Sequence, residues 1–146
     1  KRFQEELEAG RYEGVNMMGL AACEAAYHGG ALWLDSLIPY LEGNLDFLEN
    51  WLRHKLPGIH MNRPEGTYLV WLDCRGLGMN DPELSSFFSL KSHVWLDDGL
   101  QFGIGGEGHM RMNLACHRDT LKTALERITC SIEEFSKNPI VANSFS

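Results

Sequence analysis

Arg111 is the residue whose type and surroundings best suit ligand binding. It lies in the run Met110–Leu114, where apolar and polar residues alternate, so the pattern predicts a β-strand with its methionines facing inward. Arg111 then points outward, beside the glycine-rich segment Gly103–Gly108. A planar guanidinium in such a position suits a carboxylate, which it binds through two parallel hydrogen bonds. The pattern by itself favours a surface salt bridge, with a ligand role as the alternative.

Other patterns that could do chemistry are weaker. Gly103–Gly108 matches the spacing G-x-G-x-x-G, but a dinucleotide site needs a helix that opens at the last glycine, and here a strand follows. We therefore expect a loop between strands. The six histidines lack the spacing of a helical metal site, so no metal ligand is predicted. Cys116 and His117 are neighbours that point to opposite sides of a strand end, which disfavours a nucleophile paired with a base.

The composition disfavours several classes of protein. Thirteen Lys and Arg residues against twenty Asp and Glu residues give a net charge of -7, which disfavours binding to the phosphate backbone of nucleic acids. The four cysteines form no C-x-x-C pair, which favours reduced core thiols over disulfides or a zinc site. The apolar runs are about half of the roughly 20 residues that a membrane span needs, and no signal segment opens the chain. We therefore expect a soluble, cytoplasmic protein.

The elements that must position Arg111 begin with helices. Val15–Tyr27 is rich in Ala and Met and predicts a short buried helix that ends at Gly29-Gly30. From Ala31 to Leu56, leucines and one isoleucine recur at spacings of three and four, which predicts a long helix that Pro39 bends. The predicted buried positions are Leu34, Ile38, Leu41, Leu45, Leu48 and Leu52.

The second half of the chain alternates short strands with helices. Asp81 is the predicted N-cap of a short helix. Asp119–Phe135 is the predicted final helix, with a buried stripe at Leu121, Ala124, Leu125, Ile128, Ile132 and Phe135. The predicted strands are Ile59–Met61, Thr67–Leu72, Val94–Leu96, Leu100–Phe102 and Met110–Leu114. This order predicts an α+β fold in which helices pack on a mainly antiparallel sheet.

Several motifs resemble one enzyme family. They are Trp33–Asp35, Pro64–Asp73, Asp97–Gly99, Phe102-Gly103 and Gly106–Cys116. Together they resemble the pyridoxal-phosphate-dependent aminotransferases of classes I and II, and within them the cystathionine β-lyase, or C-S lyase, branch. The resemblance runs from about Asn16 to Ile132.

The resemblance implies the small C-terminal domain of a fold type I enzyme. Residues 31–137 would form this domain, residues 1–30 would lead out of a large domain that binds pyridoxal 5'-phosphate (PLP), and 138–146 would be a frayed tail. The family's Schiff-base lysine and cofactor-binding residues lie upstream, so we expect PLP in the intact enzyme and not on this chain alone. The chain alone is then expected to be inactive. The intact enzyme is expected to be a homodimer.

The resemblance also assigns substrate-binding residues. Arg111 matches the family arginine that pairs with the α-carboxylate of the substrate, Asn113 follows on the same strand face and would support the guanidinium, and Tyr68 matches a segment near the substrate. No catalytic, cofactor-binding or metal-binding residue is assigned to this chain. His109 and His117 stand where we expect Phe and Pro, and His109 is expected to point away from Arg111.

The implied reaction of the intact enzyme cleaves the C–S bond of cystathionine or a similar cysteine derivative into a thiol, pyruvate and ammonia. An aminotransferase of the same superfamily and a stand-alone α+β binding module are the alternatives. The exact substrate, and the choice between elimination and transamination, stay open. We also expect Met17, Met18 and Leu20 to drive self-association when the chain is isolated.

Overall fold

The computed structural model describes residues 1–10 and 16–137, so the predicted frayed tail 138–146 lies outside the described residues. The helices are α1 (Arg2–Ala9), α2 (Met17–Gly29), α3 (Ala31–Lys55), α4 (Asp81–Ser86) and α5 (Arg118–Lys137). A π-helical turn over Phe87–Lys91 continues α4, and 3-10 turns cover Arg75–Leu77 and Gly99–Phe102. The strands are β1 (His60–Met61), β2 (Leu69–Asp73), β3 (Asp97–Asp98) and β4 (His109–Asn113).

The four strands form one sheet in the order β1-β2-β4-β3, and every neighbouring pair is antiparallel. Strand β4 lies in the middle, where Arg111 pairs with Trp71 of β2 on one side and with Asp97 of β3 on the other. The predicted α+β fold with a mainly antiparallel sheet is confirmed.

The chain divides into two compact units, residues 1–39 and residues 40–146. In the first unit, α2 begins after Asn16, whose side-chain oxygen accepts a hydrogen bond of 2.7 Å from the Gly19 amide. This helix is where the sequence predicts it, but the prediction that it is buried is wrong, since none of its side chains is buried. The reason is that no described residue of this first unit covers its apolar side chains, although such a composition is typical of buried helices.

The core of the second unit lies between its helices and one face of the sheet. The predicted alternation in β4 is confirmed, since Met110, Met112 and Leu114 are buried. The α3 stripe is buried at Leu45, Leu48 and Leu52, and the α5 stripe at Leu121, Leu125 and Ile128. Of the other positions predicted for α3, Leu41 is half-buried, and Leu34 and Ile38 are exposed. Pro39 lies inside the helix, and the bend that it predicts stays a prediction.

Three local predictions are corrected. The N-cap of α4 is Asn80 and not Asp81, because Asn80 and Glu83 exchange side-chain to backbone hydrogen bonds in a capping box. The predicted strand Val94–Leu96 is shifted, and pairing occurs at Asp97-Asp98 instead. The predicted strand Leu100–Phe102 is wrong.

The 3-10 turn over Gly99–Phe102 is set by glycines. A Cβ atom on Gly99 would collide with the carbonyl oxygen of Gly106, and a Cβ atom on Gly106 would collide with that of Gly99. Because the two backbones touch, the chain folds back here and bonds within itself, through the Gly103 amide to the Leu100 carbonyl, instead of adding a strand. The predicted loop over Gly103–Gly108 is confirmed, since it connects this turn to β4.

One buried side chain joins three elements of the second unit. Asn44 of α3 is fully buried, and its Nδ2 donates to the carbonyl oxygens of Leu114 at 2.9 Å and Cys116 at 3.0 Å. Its Oδ1 accepts from Nε of Arg118 at 2.6 Å. Asn44 therefore ties α3 to the segment that follows β4 and to the start of α5.

We expect Asn44→Ala to lower the free energy of unfolding by about 2–4 kcal/mol, because it removes the donor to the buried Leu114 carbonyl oxygen and the acceptor of Arg118 Nε. Urea denaturation followed by circular dichroism measures the change. Asn50→Ala on the same helix is the control, since the Asn50 amide donates only to the Asp46 carbonyl of its own helix at an exposed position. Equal losses in the two variants would contradict the proposed role of Asn44.

Candidate functional site

The side chains that face away from the core on β2, β3 and β4 form one surface, which we call the outer face. Its members are Leu69, Trp71, Asp73, Asp97, His109, Arg111 and Asn113, together with Phe102 from the 3-10 turn. The pleat of β4 explains this grouping, because alternate residues of a strand lie on the same side.

Arg111 lies at the centre of the outer face and is paired with Asp97. Nε and Nη2 of Arg111 donate to the same oxygen, Oδ2 of Asp97, at 3.0 and 2.8 Å. Both side chains are partly exposed, Arg111 at 32% and Asp97 at 42%. Nη1 makes no hydrogen bond within the described part of the chain. The outer edge of the guanidinium, formed by Nη1 and Nη2, is therefore open to a ligand.

Aromatic rings hold the guanidinium from the side. Cζ of Arg111 lies 4.5 Å from the centre of the Phe102 ring. Phe102 meets Trp71 edge to face at 5.4 Å between ring centres, and Trp71 stacks on His109 at 5.6 Å with 17° between the planes. The prediction that His109 points away from Arg111 is wrong, because residues two apart on a strand share a face.

The orientation of the His109 ring is fixed by its own hydrogen bond. Nδ1 of His109 lies 2.7 Å from the carbonyl oxygen of Glu107 and donates to it. In the neutral ring, Nε2 is then left as an acceptor. The described residues provide no hydrogen-bond partner for it.

Asp73 lies at the end of the outer face, opposite His109 in the β2 and β4 register. Its carboxylate accepts from Nε of Arg75 at 2.9 Å, from Nη2 at 2.6 Å and from the Arg75 amide at 3.1 Å. The hydrogen bonds from Arg75 hold the pKa of the Asp73 carboxyl well below its ordinary value, and the charge of His109 adds a smaller contribution in the same direction.

The other two predicted substrate-binding residues lie near the ends of the strands. Tyr68 directly precedes β2, its ring is exposed, and its carbonyl oxygen accepts from the Leu114 amide at 2.8 Å. Asn113 ends β4 on the same face as Arg111, and its Oδ1 accepts from the Ala115 amide at 2.8 Å. Within the described residues, no hydrogen bond joins Asn113 to Arg111.

The cysteines differ in their surroundings. Cys74 is buried, and burial raises the pKa of its thiol to about 12. Burial also raises the pKa of the half-buried Cys116, so its thiol is a weak nucleophile. The prediction of core thiols holds for Cys74 and is wrong for Cys23 and Cys130, which are exposed.

The outer face carries one open guanidinium edge, which suits an anionic group such as a carboxylate. None of its side chains carries an ammonium group. Lys55 lies over the Trp51 ring, with its Nζ 3.9 Å from the ring centre, and Lys122 pairs with Glu126.

Across residues 1–10 and 16–137, no helix is long and apolar enough to cross a bilayer.

Comparison with known proteins finds similar lyases, although no family model matches the chain. The chain is 39% identical over 131 residues to the cystathionine beta-lyase PatB of Bacillus subtilis, a match that covers 90% of the chain and 34% of the relative. It is 39% identical over 116 residues to the cystathionine beta-lyase of Corynebacterium glutamicum, with 80% of the chain and 30% of the relative covered. The chain thus spans about one third of the length of the curated relatives that it matches.

The solved structures that resemble this chain include PLP-containing enzymes. Cystalysin from Treponema denticola, which contains a PLP cofactor, matches with a TM-score of 0.80 and 31% identity over 84% of this chain and 31% of that chain. The PLP-bound C-S lyase from Staphylococcus hominis, complexed with the inhibitor L-cycloserine, matches with a TM-score of 0.77 and 28% identity. That match covers 90% of this chain and 33% of the lyase.

The Asp73 carboxylate predicts a pH dependence of stability. A carboxyl group whose pKa is lowered by folding stabilises the protein above its unfolded pKa of about 3.9, and this contribution is lost as the pH falls toward the folded pKa. We expect Asp73→Asn to be less stable than the unmodified chain at pH 7, with a difference that shrinks below about pH 4. Urea denaturation from pH 2 to 7 measures it, and a difference that stays constant with pH would contradict the assignment.

Proposed function

Since the chain belongs to the cystathionine β-lyase branch of the PLP-dependent aminotransferase superfamily, we propose that it supplies the arginine that binds the substrate carboxylate. The enzyme would be a C-S β-lyase acting on cysteine-type amino acids such as cystathionine. The observation that carries the proposal is the open Nη1 and Nη2 edge of Arg111 on the outer face.

The shape of this edge supports a carboxylate ligand. Nη1 and Nη2 present two parallel N–H groups, which match the two oxygens of a carboxylate. Phe102 covers one side of the guanidinium, which keeps water from that side and strengthens the interaction. Arg111 would thus fix the position of the substrate's Cα atom.

The chain's own contribution to the reaction is positioning. PLP, when bound, supplies the electron sink that makes loss of the Cα proton and of the β-thiolate feasible. Arg111 would hold the Cα–H bond in one alignment, an effect that contributes several kcal/mol to many enzymes. Tyr68 would line the substrate side of the site, and Asn113 would shape its rim while its oxygen stays bonded to Ala115. We assign no catalytic residue and no cofactor contact to this chain.

The organisation of the longer enzyme follows from the same proposal. Residues 31–137 would act as the small domain, and residues 1–30 would lead from a PLP-binding domain. The enzyme would be a cytoplasmic homodimer. The exposed side chains of Met17 and Met18 offer apolar surface for contacts within such an assembly.

An aminotransferase of the same superfamily is the second candidate. The chain is 32% identical over 78 residues to the aspartate aminotransferase of Pyrococcus horikoshii, and both reactions start from an α-amino acid. The stand-alone binding module is the third possibility. The product of the complete gene distinguishes the three: we expect the visible absorbance of PLP, with release of thiol and pyruvate. Amino transfer without pyruvate release would favour the aminotransferase, and a colourless protein of this size would favour the module.

We expect Arg111→Ala in the protein from the complete gene to lower kcat/KM for amino-acid substrates about a hundredfold or more, because loss of a charge-assisted pair costs about 2–5 kcal/mol. Steady-state kinetics with L-cystathionine measure the change. Arg53→Ala is the matched control, since Arg53 is an exposed arginine that pairs with Glu49 on its own helix. Kinetics of Arg111→Ala that match those of the control would refute the proposal.

A further inference from the structure

We propose that Asp97 is a positioning residue that determines which edge of the Arg111 guanidinium receives the substrate carboxylate. This inference rests on the proposed function of Arg111. A surface ion pair contributes little to stability, and the role that we assign to Asp97 is instead to orient the substrate.

The hydrogen bonds show which edge is taken. Oδ2 of Asp97 accepts from Nε at 3.0 Å and from Nη2 at 2.8 Å, so Asp97 occupies the inner edge of the guanidinium. Asp97 is the direct partner of Arg111 in the pairing of β3 with β4, so the backbone register places the two side chains beside each other. The Asp97 carboxylate thus occupies the edge formed by Nε and Nη2 and leaves the edge formed by Nη1 and Nη2 open for the substrate.

The aromatic rings remove further freedom. Phe102 lies against one side of the guanidinium, and Trp71, which pairs with Arg111 from β2, packs against Phe102. With one edge and one side occupied, a substrate carboxylate has a single two-point binding mode on Arg111. Without Asp97, the inner edge would offer a second two-point mode, in which the Cα–H bond has a different direction.

The charge of Asp97 has the opposite effect on affinity. A carboxylate beside the guanidinium repels a second carboxylate, so Asp97 weakens binding while it selects one orientation. Removal of Asp97 should therefore strengthen the binding of a simple carboxylate and slow turnover. Damage to the fold would weaken binding and slow turnover together, so the two causes are distinguishable.

The test uses the protein from the complete gene, with L-cystathionine as substrate and propionate as a competitive inhibitor. We expect Asp97→Ala to lower kcat about 10- to 100-fold, because misorientation of a reacting group has effects of this size. We expect the inhibition constant of propionate to fall about three- to tenfold. Asp97→Asn keeps an acceptor oxygen without the charge, so it should strengthen propionate binding similarly with a smaller loss of kcat.

The control is Asp98→Asn, the neighbouring position on β3, where Oδ2 accepts from the Ser85 hydroxyl at 3.2 Å. It should leave kcat and propionate binding unchanged. A readout that does not depend on activity is the Nε–H resonance of Arg111 in ¹⁵N NMR spectra. Its exchange with water should accelerate in Asp97→Ala and stay slow in Asp98→Asn.

Unchanged kcat in Asp97→Ala, or weaker propionate binding in both Asp97 variants, would overturn the inference. If circular dichroism shows that Asp97→Ala is unfolded, the same criteria are applied to Asp97→Asn, whose side chain has the size of aspartate. The proposed function fails separately, if Arg111→Ala keeps normal kinetics. If Arg111→Ala abolishes activity while both Asp97 variants behave as the unmodified protein, only the positioning role of Asp97 is refuted.

Discussion

The register of β4 is the constraint on which the site depends. Successive residues of a strand lie on opposite faces, so a shift by one residue would move Arg111 into the core and Met110 and Met112 into water. β2 and β3 hold this register from both sides, and the buried Asn44 binds the carbonyl oxygens of Leu114 and Cys116 just beyond the strand. Core packing and the placement of the guanidinium are thus consequences of one alignment.

The charged groups of the outer face contribute little to stability and much to geometry. Asp97 and Arg111 are both partly exposed, and ion pairs in such positions contribute about 0–1 kcal/mol. Their hydrogen bonds nevertheless fix the plane of the guanidinium, which Phe102 supports through its ring. The polar contacts of the outer face therefore orient the guanidinium, while burial of the leucine stripes in α3 and α5 drives folding.

The sequence predicted the parts of the fold that depend on local periodicity. The alternation in β4 placed Arg111 on the outside, and the spacing of Leu121, Leu125 and Ile128 located the buried stripe of α5, as the structure confirms. The partnership of Asp97 with Arg111 was not predictable, because β3 has only two residues and its pairing depends on tertiary structure. The placement of His109 was predictable, since it follows from the same period of two that placed Arg111 correctly. The prediction was nevertheless wrong.

The contact between Gly99 and Gly106 restricts which residues can stand at both positions. Because each glycine lies against the other's carbonyl, a methyl group at either position would force the turn apart, and with it Phe102 beneath the guanidinium. Neither residue touches Arg111 through a side chain, since neither has one. A methyl group at either position would therefore disturb the support of the guanidinium without touching it, whereas a Cβ atom on Gly66 would meet no other atom within 4 Å.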